Sequence, residues 1–146
     1  MLQLRSLSDQ AQVLDTMIAL TRLSHLQRAI IAGSGGMDLY LGLRRRGFMR
    51  VATISTSWLA RRQHAIGLLA DHSSAALEAA LTEISPFLSP SATIALLINA
   101  EENSSSSSVR AKLKQMGFRI EAGVRCHQGL VLSACRQDFG RMEKAA

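Results

Sequence analysis

The chain has 146 residues, 47% of them hydrophobic, with a mean hydropathy of +0.11, enough apolar material for one compact core and too much for a disordered polymer. Seventeen Lys and Arg against eleven Asp and Glu leave a net charge of +6 and a pI near 10.4, so an anionic partner is expected. No apolar run approaches the roughly 20 residues that cross a bilayer, the opening MLQLRSLSDQAQ lacks a secretory pattern, and aromatics, at 4%, are too scarce for an aromatic-rich β-sandwich.

In chain order, Ser6 and Asp9 have capping-box spacing, and apolar residues then recur at helical intervals through Leu14, Ile18 and Val13, Met17, Leu20. This predicts an amphipathic helix over 8–25. The apolar stretch Ala29–Ala32 reads as a short buried strand, ended by the glycines of AGSGGMD. A helix is expected to begin at Asp38 and stop at Gly47, followed by a β-branched strand over Arg50–Ser55. His64–Ala70 is a third strand, and Asp71-His72-Ser73-Ser74 offers caps for a helix over Ala75–Ile84. After a turn between Pro86 and Pro90 comes the apolar strand Ala92–Asn99. The polar EENSSSSS forms a surface loop, and its last serines cap a helix from Val109 to Met116. Arg119–Cys126 and Leu130–Arg136 close the pattern as an antiparallel hairpin, before a tail, 138–146, expected to fray.

Strands alternating with helices, and runs as apolar as TIALLI, require a sheet covered on both faces. The fold class is α/β: one three-layer domain over 1–146, its sheet mostly parallel with a C-terminal antiparallel hairpin. Cys126 and Cys135 fall on neighbouring strands, opposite residues near Leu130 and Glu121, and are read as free thiols in a reducing cytoplasm. His25, His64, His72 and His127 are dispersed without paired metal-ligand spacing, so no metal is expected.

Three stretches, AIIAGSGGMD, SPFLSPSATIALLI and VRAKLKQMGFRIEAG, together resemble the Rossmann-like core of S-adenosylmethionine-dependent methyltransferases over roughly residues 10–136. The resemblance implies S-adenosylmethionine as cofactor. It matches Gly33 and Gly35 to the first two glycines of the family loop and extends the cofactor site to Ser34, Gly36, Ser55 and Thr56. Asp71 and His72, after the third strand, become the candidates for contact with a methyl acceptor. The sequence departs from the family pattern at three places. Ile31 replaces an acid before the first glycine, no carboxylate ends the second strand where ribose hydroxyls would be held, and only Thr56–Gln63 joins the second strand to the third. At ~3.6 Å per residue that link reaches about 29 Å. Either it crosses the sheet directly, or His64–Ala70 is not parallel to its predecessor. Trp58 in this link is available to stack on adenine or to plug the core edge.

Two other readings fit the same sequence. A catalytically silent module would self-associate as a homodimer through the broad apolar face of the first helix. A nucleic-acid-binding domain would neutralise phosphates with Arg44, Arg45, Arg46 and Arg50 and with Arg61 and Arg62. No membrane partner is expected.

Overall fold

The structure is a computed structural model that describes residues 2–55, 59–99 and 106–136, the side chains of 2–8 and 106 excepted. Thr56, Trp58, most of the serine loop and the tail therefore lie outside the described residues.

Among the described residues, eleven stretches of chain make one sheet and its cover. Helix α1 (Leu2–Thr21) precedes β1 (Ala29–Ala32), α2 (Gly36–Arg45) and β2 (Val51–Thr53). Then follow β3 (His64–Ala70), α3 (Ser74–Ile84), a 3-10 turn at Ser85–Phe87 and β4 (Leu88–Asn99). Helix α4 (Ser106–Gln115) leads into the hairpin β5 (Phe118–Cys126) and β6 (Gly129–Arg136). The strand order is β2-β1-β3-β4-β6-β5. The first four run parallel, and the hairpin is antiparallel to them at β4 and within itself.

Helices α3 and α4 cover one face, where Leu77, Leu81, Ile84, Val109 and Leu113 meet Ile30, Leu69 and Leu96. On the other face, α1 and α2 press Val13, Leu14, Met17, Leu39 and Leu43 onto Ile31, Ile66 and Leu68. Ile18 and Leu20, which the sequence left available for self-association, pack against this second cluster.

Several boundaries differ from expectation, each for a local reason. Helix α1 already runs through Ser6, so Ser6 and Asp9 are not its capping box; Asp9 instead meets the His127 ring across 3.2 Å. The helix ends at Thr21 rather than 25 because Arg22 adopts a left-handed φ of 56° and the Leu23 N–H reaches back to the Ile18 carbonyl. This is a Schellman-type ending without the usual glycine. Helix α2 starts at Gly36, two residues early, with Asp38 in its first turn. Strand β2 is trimmed to three residues, since Thr53 and Ser55 join their hydroxyls at 2.9 Å in a turn. Strand β4 starts early, at Leu88, and its ladder skips from His64–Leu88 to Ile66–Thr93. Pro90 lies in that skipped stretch, where no ladder partner needs its missing N–H.

The short link takes the direct route. Strand β3 is parallel to β1 and lies on the side of β1 opposite β2, so the chain returns across β1. The link's described flanks, Ile54 and Leu59, both pack onto the α3/α4 cluster. The link ends where the Arg62 N–H donates to the Pro86 carbonyl at 3.0 Å and Arg28 to Gln63 at 2.7 Å. A three-residue β2 is only about 10 Å long, which makes so brief a return feasible.

The cysteines end far apart on the hairpin: Cys126 opposite Gly129, Cys135 opposite Arg119, both free.

Candidate functional site

The first strand must turn sharply into α2, and the glycine stretch makes that turn against a neighbour. Gly33 has φ of +100°, and a Cβ there would collide with the Ala70 carbonyl oxygen at the end of β3. A Cβ on Gly35 would come within 3.1 Å of the Ala70 methyl, and one on Gly36 within 3.1 Å of Ile31. The Gly35 N–H donates to the same Ala70 carbonyl at 3.0 Å. Gly33 is thus required by the close approach of this turn to the end of β3, and Gly35 and Gly36 ease tight contacts with Ala70 and Ile31, before any ligand is considered.

Between them, Ser34 points the other way. Its N–H and Oγ donate to the two carboxylate oxygens of Asp71 at 3.1 and 2.9 Å. His72 Nδ1 lies 2.8 Å from the same Oγ. Because the single hydroxyl proton goes to Asp71, His72 Nδ1 is the donor to Ser34, which leaves Nε2 outward. Ser34 is therefore no activated nucleophile, since no free imidazole nitrogen takes its proton. Burial to 9% exposure pushes the Asp71 carboxyl upward. Hydrogen bonds from the His72 N–H and from Ser34, with the imidazole charge, outweigh that and hold it below the ordinary 3.8. Helix α3 is capped by Ser73, whose hydroxyl accepts from the Ala76 N–H at 3.1 Å, so Asp71 and His72 are not spent as caps.

This cluster stands at the head of a cleft of about 640 Å³ between α1 and α2. From the sheet it is floored by Ala70, Leu97 and Asn99, at the carboxyl ends of β3 and β4, where open α/β sheets place ligands. Gln10, Ala11 and Leu14 form one wall; Asp38, Leu39 and Gly42 form the other. Two polar straps join the helices: Gln10 donates to Asp38 at 3.2 Å, and Arg46 pairs with Asp15 at 2.9 Å. Gly42 allows this approach, because a Cβ there would meet the Leu14 methyl.

Of the residues singled out from sequence, Ser34, Gly35, Asp71 and His72 come together in the cleft. Gly33 and Gly36 do not line it, and Ser55 lies apart, exposed beside Thr53 at the end of β2. Thr56 lies outside the described residues. Arg45 and Arg46 line the far end of the cleft, while Arg44, Arg50, Arg61 and Arg62 lie outside it. Sequence reasoning missed Gln10, Asp38's place in the wall, Asn99 and Gln128. The one available signal was Gly42, since glycine inside a helix costs about 1 kcal/mol against Ala and marks a close approach. Among the described residues no cluster of metal-ligating side chains occurs, and no helix is long and apolar enough to cross a membrane.

No protein-family model matches the sequence, nor does any curated protein. Solved structures match in fold. A Burkholderia thailandensis 1,6-didemethyltoxoflavin-N1-methyltransferase with bound S-adenosylhomocysteine superposes with a TM-score of 0.61 at 13% identity, over 89% of this chain and 79% of that one. The magnesium protoporphyrin IX methyltransferase of Synechocystis PCC 6803 with bound S-adenosylmethionine gives 0.58 at 10% identity, covering 93% and 82%. An S-adenosylmethionine-dependent methyltransferase from Aquifex aeolicus gives 0.57 at 12%, covering 82% and 88%. The chain therefore has the Rossmann-like fold found in those methyltransferases.

Proposed function

We propose that this Rossmann-like domain binds S-adenosylmethionine, or its demethylated product, in the cleft between α1 and α2, and that it serves methyl transfer to an acceptor. The observation that carries this reading is the cleft at the carboxyl ends of β3 and β4, headed by the bonded cluster Ser34–Asp71–His72. Its volume falls in the usual range for small-ligand sites. Asn99, Gln10 and Gln128 offer amides to a polar ligand, and Asp38 and Asp71 place carboxylates along the wall. A lowered Asp71 pKa keeps that carboxylate ionised at neutral pH, which suits a ligand carrying a sulfonium cation. When bound, S-adenosylmethionine supplies an electrophilic methyl group. The chain's own work is to hold and orient the ligand and to shield it from water, which needs little acid–base chemistry. His72, with its side chain 77% exposed and one ring nitrogen tied to Ser34, faces the acceptor side in this reading. A cytoplasmic location belongs to the same proposal.

A second reading has its own support. Gly33 and Gly35 are explained by Ala70 alone, and no carboxylate stands at the described end of β2. Those facts favour a domain that has kept the fold for protein interaction, without the ligand. Calorimetric titration with S-adenosylhomocysteine separates the two. Saturable heat, lost on Ala11→Trp, which fills the cleft from a half-buried position on α1, supports ligand binding. No heat at millimolar ligand with the protein folded rejects it. Gly33→Val is a poor probe, since it breaks the β1–β3 contact itself.

A further inference from the structure

The parallel topology sorts the charges of this chain. Every helix that follows a parallel strand ends at the amino-terminal edge of the sheet, and every parallel strand begins there. Arg28 immediately precedes β1, Arg50 precedes β2, and Arg61 and Arg62 lie just before β3. Arg44 stands in the last turn of α2, outside the cleft that its neighbour Arg45 lines, and Lys114 stands at the end of α4. The hairpin, antiparallel, adds Arg136 at the end of β6. The two arginine clusters of the sequence thus join into one band with cations that lie far from them in the chain. The described acids near this edge are few: Asp15, which pairs with Arg46 at the end of α2 at 2.9 Å, Glu83 at the end of α3, and Glu121 in β5, which pairs with Arg119 at 3.3 Å. Asp9, Asp38 and Asp71 lie instead toward the cleft end.

Midway along the band is a recess of about 380 Å³ lined by Arg61, Arg62, Ser85, Gly117 and Arg136. Arg136 is held there by the Ser85 hydroxyl at 2.6 Å and the Leu88 carbonyl at 3.2 Å, and its guanidinium lies over the Phe118 ring. Arg61 and Arg62 are exposed at the rim. Six strands at about 4.8 Å spacing make this edge about 24 Å long, the length of about seven phosphates at ~3.4 Å each along one duplex strand.

We propose that the amino-terminal edge of the sheet is a nucleic-acid-binding surface, which grips the phosphodiester backbone along its arginine band and takes a phosphate against Arg61 and Arg62 at the rim of the recess. Guanidinium groups suit this because their fork of donors matches phosphate oxygens. A flat lipid surface fits less well, since it cannot enter a recess. Recognition is of backbone charge and not of sequence: Phe48 is only 7% exposed and stacks on His25, and the half-buried Tyr40 ring is covered by the Arg44 guanidinium 5.8 Å from its centroid, so neither ring is laid open to a base.

Fluorescence anisotropy with labelled single-stranded RNA, single-stranded DNA and duplex DNA of unrelated sequences tests this. Binding to one or more is expected, weakening steeply between about 50 and 200 mM salt. The pair Arg61→Ala with Arg62→Gly is expected to loosen binding about tenfold and to flatten the salt slope by about 1.4 for a single strand. Glycine suits the left-handed φ of 59° at position 62, so the fold is spared, as circular dichroism will verify. Arg44→Ala with Arg50→Ala, at the other end of the band, should give a similar loss. The proposal is overturned if none of the oligonucleotides binds at the low salt. It is equally overturned if both double variants bind like the parent, or if phosphatidylserine vesicles capture the protein while nucleic acid does not. Binding of S-adenosylhomocysteine is measured on the same variants. Its presence or absence decides the cleft reading independently.

Discussion

One sheet carries two differently finished faces. Against α3 and α4 it is sealed: Leu77, Ala80, Leu81, Ile84 and Leu113 are each at most 3% exposed. Against α1 and α2 the lower part of the layer is equally tight, with Met17 and Leu43 fully buried, yet between the helices a cleft of about 640 Å³ opens toward Asp71. Both sides rest on aliphatic clusters; the open side adds two polar straps across the cleft, Gln10–Asp38 and Arg46–Asp15, and the sealed side a hydrogen bond from Ser108 to Glu78 at 2.6 Å. Interiors packed at crystal density resist any added volume, so a void of this size marks where the fold has room for something other than itself.

The sharpest way to break this contrast is to insert the same bulk on both sides. Ala80→Trp on α3 is expected to lose more than about 3 kcal/mol or to abolish the cooperative urea transition, whereas Ala11→Trp should stay within about 1 kcal/mol of the parent. Equal losses would mean that the cleft closes in solution. Smaller is the effect of Ser34→Ala, which removes the hydroxyl donor to Asp71. A cost of about 2 kcal/mol is expected at neutral pH, with the Asp71 carboxyl, followed by NMR titration, moving up toward its ordinary value. The sign follows from the direction of the shift. A depressed folded-state pKa contributes stability that is complete above 3.8 and is lost as pH falls through the lowered value. The difference between parent and variant should therefore shrink in acid, and a constant difference from pH 7 to pH 2 would detach Ser34 from Asp71. Least of all is Asp15→Ala, which breaks an exposed ion pair to Arg46. It is expected to cost below about 1 kcal/mol and less in high salt.

The layer order and the strands were legible because TIALLI and HAIGLLA are long apolar runs whose only home is a covered sheet. Strand β3 was read at its observed bounds, and the hairpin to within one residue at each strand's start. Helix ends were less legible, because Arg22 adopts a left-handed ending that sequence assigns to glycine. The direct return over β1 was undecidable from the link alone, since its length permits either direction until the partners of His64–Ala70 are known. For the site, Asp71 and His72 were visible as polar residues after a strand, but their bond to Ser34 joins positions 37 and 38 residues apart. The glycines admit two explanations at once: they suit a cofactor loop, and a Cβ on Gly33 or Gly36 would also meet Ala70 or Ile31.

The two lateral margins of the sheet bear on how this molecule behaves when crowded. Strand β2 presents three residues, too brief a ribbon to recruit a neighbour's backbone. At the opposite margin β5 is nine residues long, but its ladder is interrupted between Ile120 and Ala122, and Arg119, Glu121 and Arg125 stud it with charge. Both rims thus discourage the sheet-to-sheet annealing that seeds fibrils, so a protein this rich in Leu, Ile and Val should remain dispersed at high concentration while its fold is intact.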